Sequence, residues 1–237
     1  MSALRSLIPT DVKAVLLVRG ASEATSRPVK EDLEEHGFEV HQISVKTEPS
    51  VASVNSALHK INRAQCDVVV ACGGGSVLDT AKALRFCLEI GMELPEDISK
   101  IDQASLNSFA KIVLVAIPTT AGTGAEVTSN AVLGLPGSKA SLRGQRLFPS
   151  FALVDPTFFP LAPKAVIVGA GLDALTQTIE AYTSRLASPF TDAITAPNIR
   201  LGAQALRKIV EGGDEEAWTQ MGWVSLSSGI ALANGGL

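Results

Sequence analysis

The sequence predicts an α/β fold in which a Rossmann-like parallel sheet is followed by an all-helical region. Short runs of Val, Ile and Leu recur, and segments with helical periodicity separate them. These runs are continuously apolar rather than alternating, which is typical of parallel strands that helices cover on both faces. After Pro156, helical patterns replace the strands. We therefore expect an α/β domain over residues 1–156 and a helical domain over residues 157–237.

The first domain is expected to contain several buried strands, each bounded by turn residues. They are VKAVLLV (12–18), FEVHQIS (38–44), DVVVACGGG (67–75) and KIVLVAIPTT (111–120). The patterns also predict helices over residues 29–36, 51–64 and 76–90, and a hairpin or long loop over 130–151. The second domain is expected to consist of helices over residues 164–186, 192–210 and 215–234.

The composition is that of a globular protein and excludes several kinds of partner. Hydrophobic residues make up 46% of the 237 residues, charged residues 19%, and the formal net charge is −4. A mildly acidic chain is not suited to binding a nucleic-acid backbone. No apolar run approaches the roughly 20 residues that span a bilayer, and residues 1–17 lack the features of a signal peptide. We therefore expect neither a nucleic-acid partner nor a membrane partner.

The cysteines indicate the compartment. Cys66, Cys72 and Cys87 lie in apolar segments and lack the CxxC spacing of a metal site. This pattern predicts buried, reduced thiols, which are typical of a cytoplasmic protein.

The segment CGGGSVLDTAKAL (72–84) places glycines between a buried strand and the start of a helix. Glycine lets the backbone approach an anion closely, and the free N–H groups of a helix N-terminus attract negative charge. The segment is neither GxGxxG nor a Walker sequence, because no GK[ST] closes it. A phosphate-binding loop is favoured, and a purely structural strand-to-helix turn is the alternative.

A second loop, IPTTAGTGAEVTSN (117–130), also follows a buried strand and is rich in Thr and Gly. Hydroxyl groups and flexible backbone at the carboxyl end of a strand are suited to a nucleotide, because ligands of open α/β sheets collect at that end. A helix start capped by Ser or Thr is the alternative. Because the two loops follow neighbouring strands, each strengthens the nucleotide-binding interpretation of the other.

Four segments in this order, GGGSVLDTAKA, AIPTTAGTGAEVT, ALVDP and GLDALTQTIEAY, resemble the iron-containing (group III) alcohol dehydrogenase family, whose fold is dehydroquinate synthase-like. The resemblance runs from about residue 13 to residue 237. It implies that the α/β domain binds NAD or NADP and that the helical domain binds a divalent metal. It also implies hydride transfer between the nicotinamide and a small alcohol, aldehyde or ketone.

The resemblance assigns cofactor-binding roles to both loops. The matching loop residues are Gly73, Gly74, Gly75 and Ser76 for the pyrophosphate, and Thr119, Thr120 and Thr123 for the second nucleotide loop. Asp79 lies where the family keeps an acid near the nicotinamide end. Lys139 falls near a lysine that the family places by the cofactor ribose, and a solvated loop lysine is the alternative.

Arg19 and Gly20 bear on the choice between NAD and NADP. Family members that prefer NAD often carry an acid after the first strand, which binds the ribose 2′-hydroxyl and repels a 2′-phosphate. Here Gly20 stands where that acid is expected, and Arg19 precedes it. A missing carboxylate removes the repulsion, and a guanidinium is a good partner for phosphate. We therefore hypothesise NADP rather than NAD, with an exposed strand-end residue as the alternative role of Arg19.

Asp173 and Gln177 are the candidate catalytic residues, and they mark a departure from the family. The resemblance implies a metal site of one Asp and three His, the Asp and the first His coming from a DAxxH helix. Asp173 matches the acid, but Gln177 occupies the histidine position. An amide oxygen is a weaker ligand than imidazole for Fe²⁺ or Zn²⁺. We expect the two side chains to hydrogen-bond each other in a metal-free cleft.

The histidines strengthen this expectation. The only ones, His36, His41 and His59, fall in the first domain, and the sequence stops where the family's remaining histidines follow. We therefore expect no tightly bound iron or zinc and an incomplete helical domain. Helices that lack packing partners expose apolar surface, which favours a homodimer or higher homo-oligomer.

The sequence thus favours an NAD(P)-dependent oxidoreductase that is metal-independent in this chain and acts on a small molecule. One alternative is a degenerate family member that binds nucleotide or substrate without redox chemistry, or that catalyses a non-redox, metal-free reaction. An inactive fragment is another. Retention of GGGS, Asp79 and TTAGTG together favours cofactor binding, while the sequence leaves it open whether the chain is an active enzyme.

Overall fold

The computed structural model of the protein describes residues 3–61 and 66–235. The chain forms two compact units. The sheet unit comprises Met1–Ile117 and Ser129–Leu153, and the helical unit comprises Pro118–Thr128 and Val154–Leu237. The second glycine-containing loop therefore groups with the helical unit, whereas the sequence boundary at residue 156 stays a prediction.

The described elements alternate between strand and helix up to β4, a hairpin and one short strand follow, and the rest are helical. The strands are β1 (Ala14–Gly20), β2 (Glu39–Val45), β3 (Val68–Gly73), β4 (Val113–Pro118), β5 (Asn130–Leu135), β6 (Ser138–Arg143) and β7 (Phe151–Ala152). The helices are α1 (Glu23–Glu35), α2 (Val51–Leu58), α3 (Gly75–Ile90), α4 (Gln103–Asn107), α5 (Lys164–Thr183), α6 (Pro189–Val210) and α7 (Glu215–Gly235). Residues 62–64, at the end of the helix predicted over 51–64, lie outside the described part of the chain.

The main sheet has the strand order β2-β1-β3-β4-β7. The pairs β1–β2, β1–β3 and β4–β7 are parallel. Side chains of β1 from Val15 to Val18 are at most 1% exposed, and every residue of β3 is buried. The predicted parallel sheet with continuously buried strands is confirmed for this centre.

Three elements of the sheet unit differ from the sequence prediction, the first being α2, which ends at Leu58 although the sequence predicts a helix over 51–64. Strand β2 is an edge strand, so Glu39, Gln42 and Ser44 are exposed instead of being covered on both faces. Helix α1 begins at Glu23 rather than near residue 29, and it includes Pro28, which removes one helical hydrogen bond without ending the helix.

Strands β5 and β6 form the antiparallel hairpin that the sequence left as one of two alternatives. Helix α3 holds this hairpin. The Asp79 carboxylate accepts a hydrogen bond from the Val132 N–H at 3.0 Å, and Lys82 Nζ donates to the Asn130 carbonyl at 2.8 Å. Lys82 Nζ also lies 3.6 Å from Asp79 Oδ1, and its side chain is fully buried. The ion pair thus connects α3 to β5, the first strand of the hairpin.

The helical unit is a three-helix arrangement of α5, α6 and α7 around a small apolar core. Helix α6 starts at a capping box in which Ser188 and Thr191 exchange hydrogen bonds, with Pro189 at the first helical position. The core side chains are Ala121, Phe159, Ala174, Ala205, Leu206, Ile209, Ala217, Met221 and Val224. No helix in the described residues is long and apolar enough to cross a membrane.

We expect Asp79→Asn to lower the free energy of unfolding by about 2–3 kcal/mol, because the buried Lys82 ammonium loses this carboxylate while the amide keeps an acceptor for Val132. Urea denaturation followed by circular dichroism measures the change. The exposed Asp11→Asn variant is the matched control. Equal stabilities of the two variants would contradict the structural role of the pair.

Candidate functional site

The first glycine loop joins β3 to α3. A Cβ on Gly73 would lie 2.4 Å from a methyl group of Val77, so this glycine is required by packing. Gly74 precedes the helix with extended backbone, and no side chain caps the helix N-terminus. Gly75 and Ser76 begin the helix. The loop therefore combines the structural turn with a helix N-terminus whose N–H groups can receive an anion.

Arg19 and Gly20 lie at the same edge of the sheet as this loop. Strand β1 is parallel to β3, and Arg19 is in register with Cys72, one residue before Gly73. The carboxyl ends of the two strands therefore meet at one edge, which is where parallel sheets bind ligands.

The Arg19 guanidinium is engaged on three sides. It donates to Gln42 Oε1 at 2.9 Å and to the Gly20 carbonyl at 3.0 Å, and it lies 2.5 Å from Glu23 Oε1. The Arg19 side chain is only 11% exposed, whereas that of Glu23 is 77% exposed. An acidic residue thus stands four positions after Arg19, although none stands at position 20. Sequence reasoning missed Glu23 and Gln42.

The second loop follows β4 and packs within the helical unit. Its short 3-10 turn, Ala125–Val127, has no side-chain cap, so the loop is not a helix start capped by Ser or Thr. Thr119 is buried, Thr120 is half-buried and Thr123 is exposed. The loop thus offers hydroxyl groups of different accessibility along one short segment.

The backbone of this loop touches α7 directly. Gly124 has a left-handed φ of +63°, and a Cβ built on it would lie 2.6 Å from the Ser225 carbonyl. A Cβ on Gly229 would lie 2.4 Å from the Gly124 carbonyl. The Ser225 hydroxyl also donates to the Gly122 carbonyl at 3.2 Å. The loop therefore requires glycine on both sides of the contact.

Gln177 is buried and donates from Nε2 to the Thr123 carbonyl at 2.9 Å and to Ser228 Oγ at 3.0 Å. In the described chain no hydrogen bond joins it to Asp173, so the expected mutual pair is wrong. The physical reason is that the loop carbonyl and the Ser228 hydroxyl use the two N–H groups of the amide. Partial burial, and then the negative charge of Glu180, raise the pKa of the Asp173 carboxyl.

Asp79 and Lys139 occupy different surroundings in the sheet unit. Asp79 holds the hairpin as described, and burial raises the pKa of its carboxyl against the opposing effects of Lys82 and the Val132 N–H. Lys139 is exposed on β6 and forms an ion pair with Glu48 at 2.7 Å. Its surroundings match those of a surface lysine.

The described residues do not fit a transition-metal site. No group of three or more His, Cys, Asp or Glu side chains converges within residues 3–61 and 66–235. His36, His41 and His59 belong to the sheet unit and lie beside carboxylates on its surface. The nitrogen of the Gln177 amide carries no free lone pair and faces the loop.

The strand order and the helical second half define an α/β protein with a Rossmann-like parallel sheet. Residues 1–156 match the family described as iron-containing alcohol dehydrogenase, and residues 167–237 match the C-terminal part of the Fe-containing alcohol dehydrogenase family. This chain belongs to the iron-containing alcohol dehydrogenase family.

Individual relatives agree with the family. An alcohol dehydrogenase of Thermococcus barophilus is 37% identical over 206 residues, covering 85% of this chain and 54% of the relative. An NAD-dependent methanol dehydrogenase of Bacillus methanolicus is 35% identical over 244 residues, covering 100% of this chain and 61% of the relative. The structure of an iron-containing alcohol dehydrogenase from Thermococcus thioreducens matches with a TM-score of 0.84 and 34% identity, over 95% of this chain and 61% of that one. The chain thus spans less than two thirds of these relatives.

We expect Gly229→Ala to lower the free energy of unfolding by about 2–3 kcal/mol, because the new methyl group meets the Gly124 carbonyl and neither backbone can yield freely. Gly169→Ala is the control, since a Cβ on that exposed residue of α5 meets nothing within 4 Å. The control should be neutral or gain about 0.5–1 kcal/mol from helix propensity. Denaturant unfolding of both variants measures the difference, and a tolerated Gly229→Ala would refute the close contact.

Proposed function

We propose that this protein is an NAD(P)-dependent oxidoreductase that transfers hydride between the nicotinamide and a small alcohol, aldehyde or ketone. The observation that carries the proposal is the uncapped glycine loop after β3, at the same sheet edge as the end of β1. Family membership supports it, as does the NAD dependence stated for the Bacillus methanolicus relative.

The roles of the loop residues follow from their chemistry. Backbone N–H groups of Gly74, Gly75 and Ser76 would bind the pyrophosphate, because they lie at a helix N-terminus with no competing side chain. The hydroxyls of Thr120 and Thr123 are accessible and would bind other polar groups of the cofactor. A Cβ on Gly20 would meet nothing within 4 Å, so this position would leave room for the adenosine ribose.

The reaction also requires a group that exchanges a proton with the substrate oxygen. When an alcohol is oxidised, hydride passes to C4 of the nicotinamide and the hydroxyl proton passes to a base. We assign this base to the Asp173 carboxylate, because it is the acid at the family's Asp position on α5 and is accessible to solvent. Desolvation and the negative charge of Glu180 raise its pKa, which favours proton acceptance. The reaction is proposed to be metal-independent, since the described residues offer no ligand set for iron or zinc.

A second candidate function is nucleotide binding without redox chemistry. The observation that favours it is the hydrogen bonding of Gln177, which occupies the histidine position implied by the family and binds the loop instead. The two candidates differ in one measurable respect. Both predict cofactor binding, but only the oxidoreductase predicts turnover of an aldehyde or alcohol.

We propose NADP(H) as the preferred cofactor. Gly20 carries no carboxylate to repel a 2′-phosphate, and the adjacent Arg19 supplies a positive charge. Glu23 competes for the same guanidinium, but it is highly exposed and belongs to the first turn of α1, so it can move away. The coenzyme preference therefore depends on whether the Arg19 guanidinium binds the 2′-phosphate or the Glu23 carboxylate.

We also propose a homo-oligomer in a reducing, cytoplasmic compartment. Large apolar side chains are exposed on the helical unit, namely Leu172, Leu186, Phe190 and Trp223. Such surface favours self-association. The three cysteines are free and buried, which is expected where disulfides do not form. Size-exclusion chromatography with light scattering tests the oligomer, and a monomer at micromolar concentration would contradict it.

We expect the wild-type chain to bind NADPH, and Gly74→Val to weaken binding by about tenfold or more, because a branched side chain blocks the approach of phosphate to the helix N-terminus. The extended backbone of Gly74 is one that valine adopts, and circular dichroism checks that the variant keeps its fold. Fluorescence titration measures affinity, and an aldehyde panel then separates reductase from binding protein. Absence of both NADPH and NADH binding in the wild type would remove the proposed function.

We expect Glu23→Gln to increase NADPH affinity by about threefold to tenfold and to leave NADH affinity nearly unchanged, because the freed guanidinium meets the 2′-phosphate without a competing carboxylate. Arg19→Ala should weaken NADPH selectively. The matched control is Glu31→Gln, which removes an exposed carboxylate from the same helix, 4.0 Å from Arg27. A similar response to Glu23→Gln and Glu31→Gln would indicate a general charge effect and contradict the role of Arg19.

A further inference from the structure

Gln177 is the only described side chain of α5 that binds the main chain of the second glycine-containing loop by hydrogen bonds. A carbonyl oxygen only accepts, so the amide must present its nitrogen to Thr123. The second N–H points to Ser228 Oγ, which in turn donates its proton to the Ser225 carbonyl at 2.8 Å. The direction of every proton in this chain of bonds is therefore determined.

The same segment of the loop is held from α7. Ser225 Oγ donates to the Gly122 carbonyl, and the backbones of Gly124 and Gly229 are in direct contact. Gly122 and Thr123 are consecutive, so two adjacent carbonyls are bound by side chains of two different helices. A peptide unit fixed in this way cannot rotate without breaking buried hydrogen bonds.

The Thr123 carbonyl and the Thr123 side chain lie on opposite sides of the loop. The carbonyl is bound on the inner side by Gln177, whereas the Thr123 side chain is exposed. Rotation of the 123–124 peptide unit would change the direction of the carbonyl and the path of the loop. The inner hydrogen bond thus restricts the backbone that carries the outer hydroxyl.

We propose that Gln177 is a positioning residue that clamps the loop over residues 119–128 in its ligand-binding conformation. It stands at the position where the family resemblance implies a metal-binding histidine, and here an amide with two N–H donors connects loop, α5 and α7. A neutral imidazole has one N–H donor and cannot make both bonds. This inference rests on the proposed nucleotide-binding role of the loop.

The test combines local hydrogen exchange with nucleotide affinity. Gln177→Met keeps the approximate length and volume of the side chain but removes both hydrogen bonds. We expect amides of residues 119–128 to exchange at least about fivefold faster, while a reference segment of α6, residues 198–206, keeps its rate. NADPH affinity should fall by about tenfold. The control is Gln204→Met, an exposed glutamine of α6, which should change neither quantity.

Two further variants separate the clamp from general stability. Ser228→Ala removes one acceptor but leaves the bond to Thr123, so loop exchange should change less than in Gln177→Met. Gln177→His supplies one N–H and should restore part of the protection. Equal acceleration in the loop and in α6 would mean that Gln177 only stabilises the fold and would overturn the proposal.

Metal titration provides an independent challenge. Stoichiometric binding of Zn²⁺ or Fe²⁺ by the wild type that disappears in Gln177→Met, with loop exchange unchanged, would make Gln177 a ligand and overturn the clamp. If the wild type binds neither NADPH nor NADH, the proposed function fails, yet faster loop exchange in Gln177→Met would still establish the clamp. The two failures are therefore distinguishable.

Discussion

Burial of β1 and β3 on both faces is the constraint on which the sheet unit depends. A strand without access to water must satisfy its backbone groups within the sheet, and its side chains must be apolar throughout. Both strands pair in parallel, so their carboxyl ends meet at one edge. That geometry brings Gly20 and Gly73 into the same region, although they are far apart in sequence. The position of the candidate phosphate loop therefore follows from the parallel pairing of these buried strands.

The helical unit depends on a different constraint, the direct contact between two backbones. Gly124 and Gly229 approach so closely that neither position has room for a side chain. Hydrogen bonds from Ser225 and Gln177 to consecutive loop carbonyls surround this contact. The glycines of the second loop therefore serve packing as well as flexibility. A ligand would meet a loop whose inner side is already fixed.

Two charged side chains of the sheet unit have structural partners, although the sequence pattern implies that they bind the cofactor. Asp79 matches an acid expected near the nicotinamide, but in the sheet unit its carboxylate joins the buried Lys82 and the hairpin backbone. Arg19 matches a phosphate-binding residue, and Glu23 already neutralises it. Such pairs arise because a buried or half-buried charge must find a partner, whatever its role in catalysis. The partner then becomes part of any functional argument.

The sequence by itself determined the α/β class, the centre of the sheet, the helices of the second half and the family. Continuous apolar runs and glycine spacing carry this information locally. The sequence could not determine that β2 is an edge strand or that Glu23 contacts Arg19. It also could not determine that Gln177 forms its hydrogen bond with the loop and not with Asp173. Gln177 lies 54 positions from Thr123 and 51 from Ser228, and no local pattern encodes such contacts. Only tertiary structure decided them, because the partner of a buried polar group is set by which backbone the fold brings beside it.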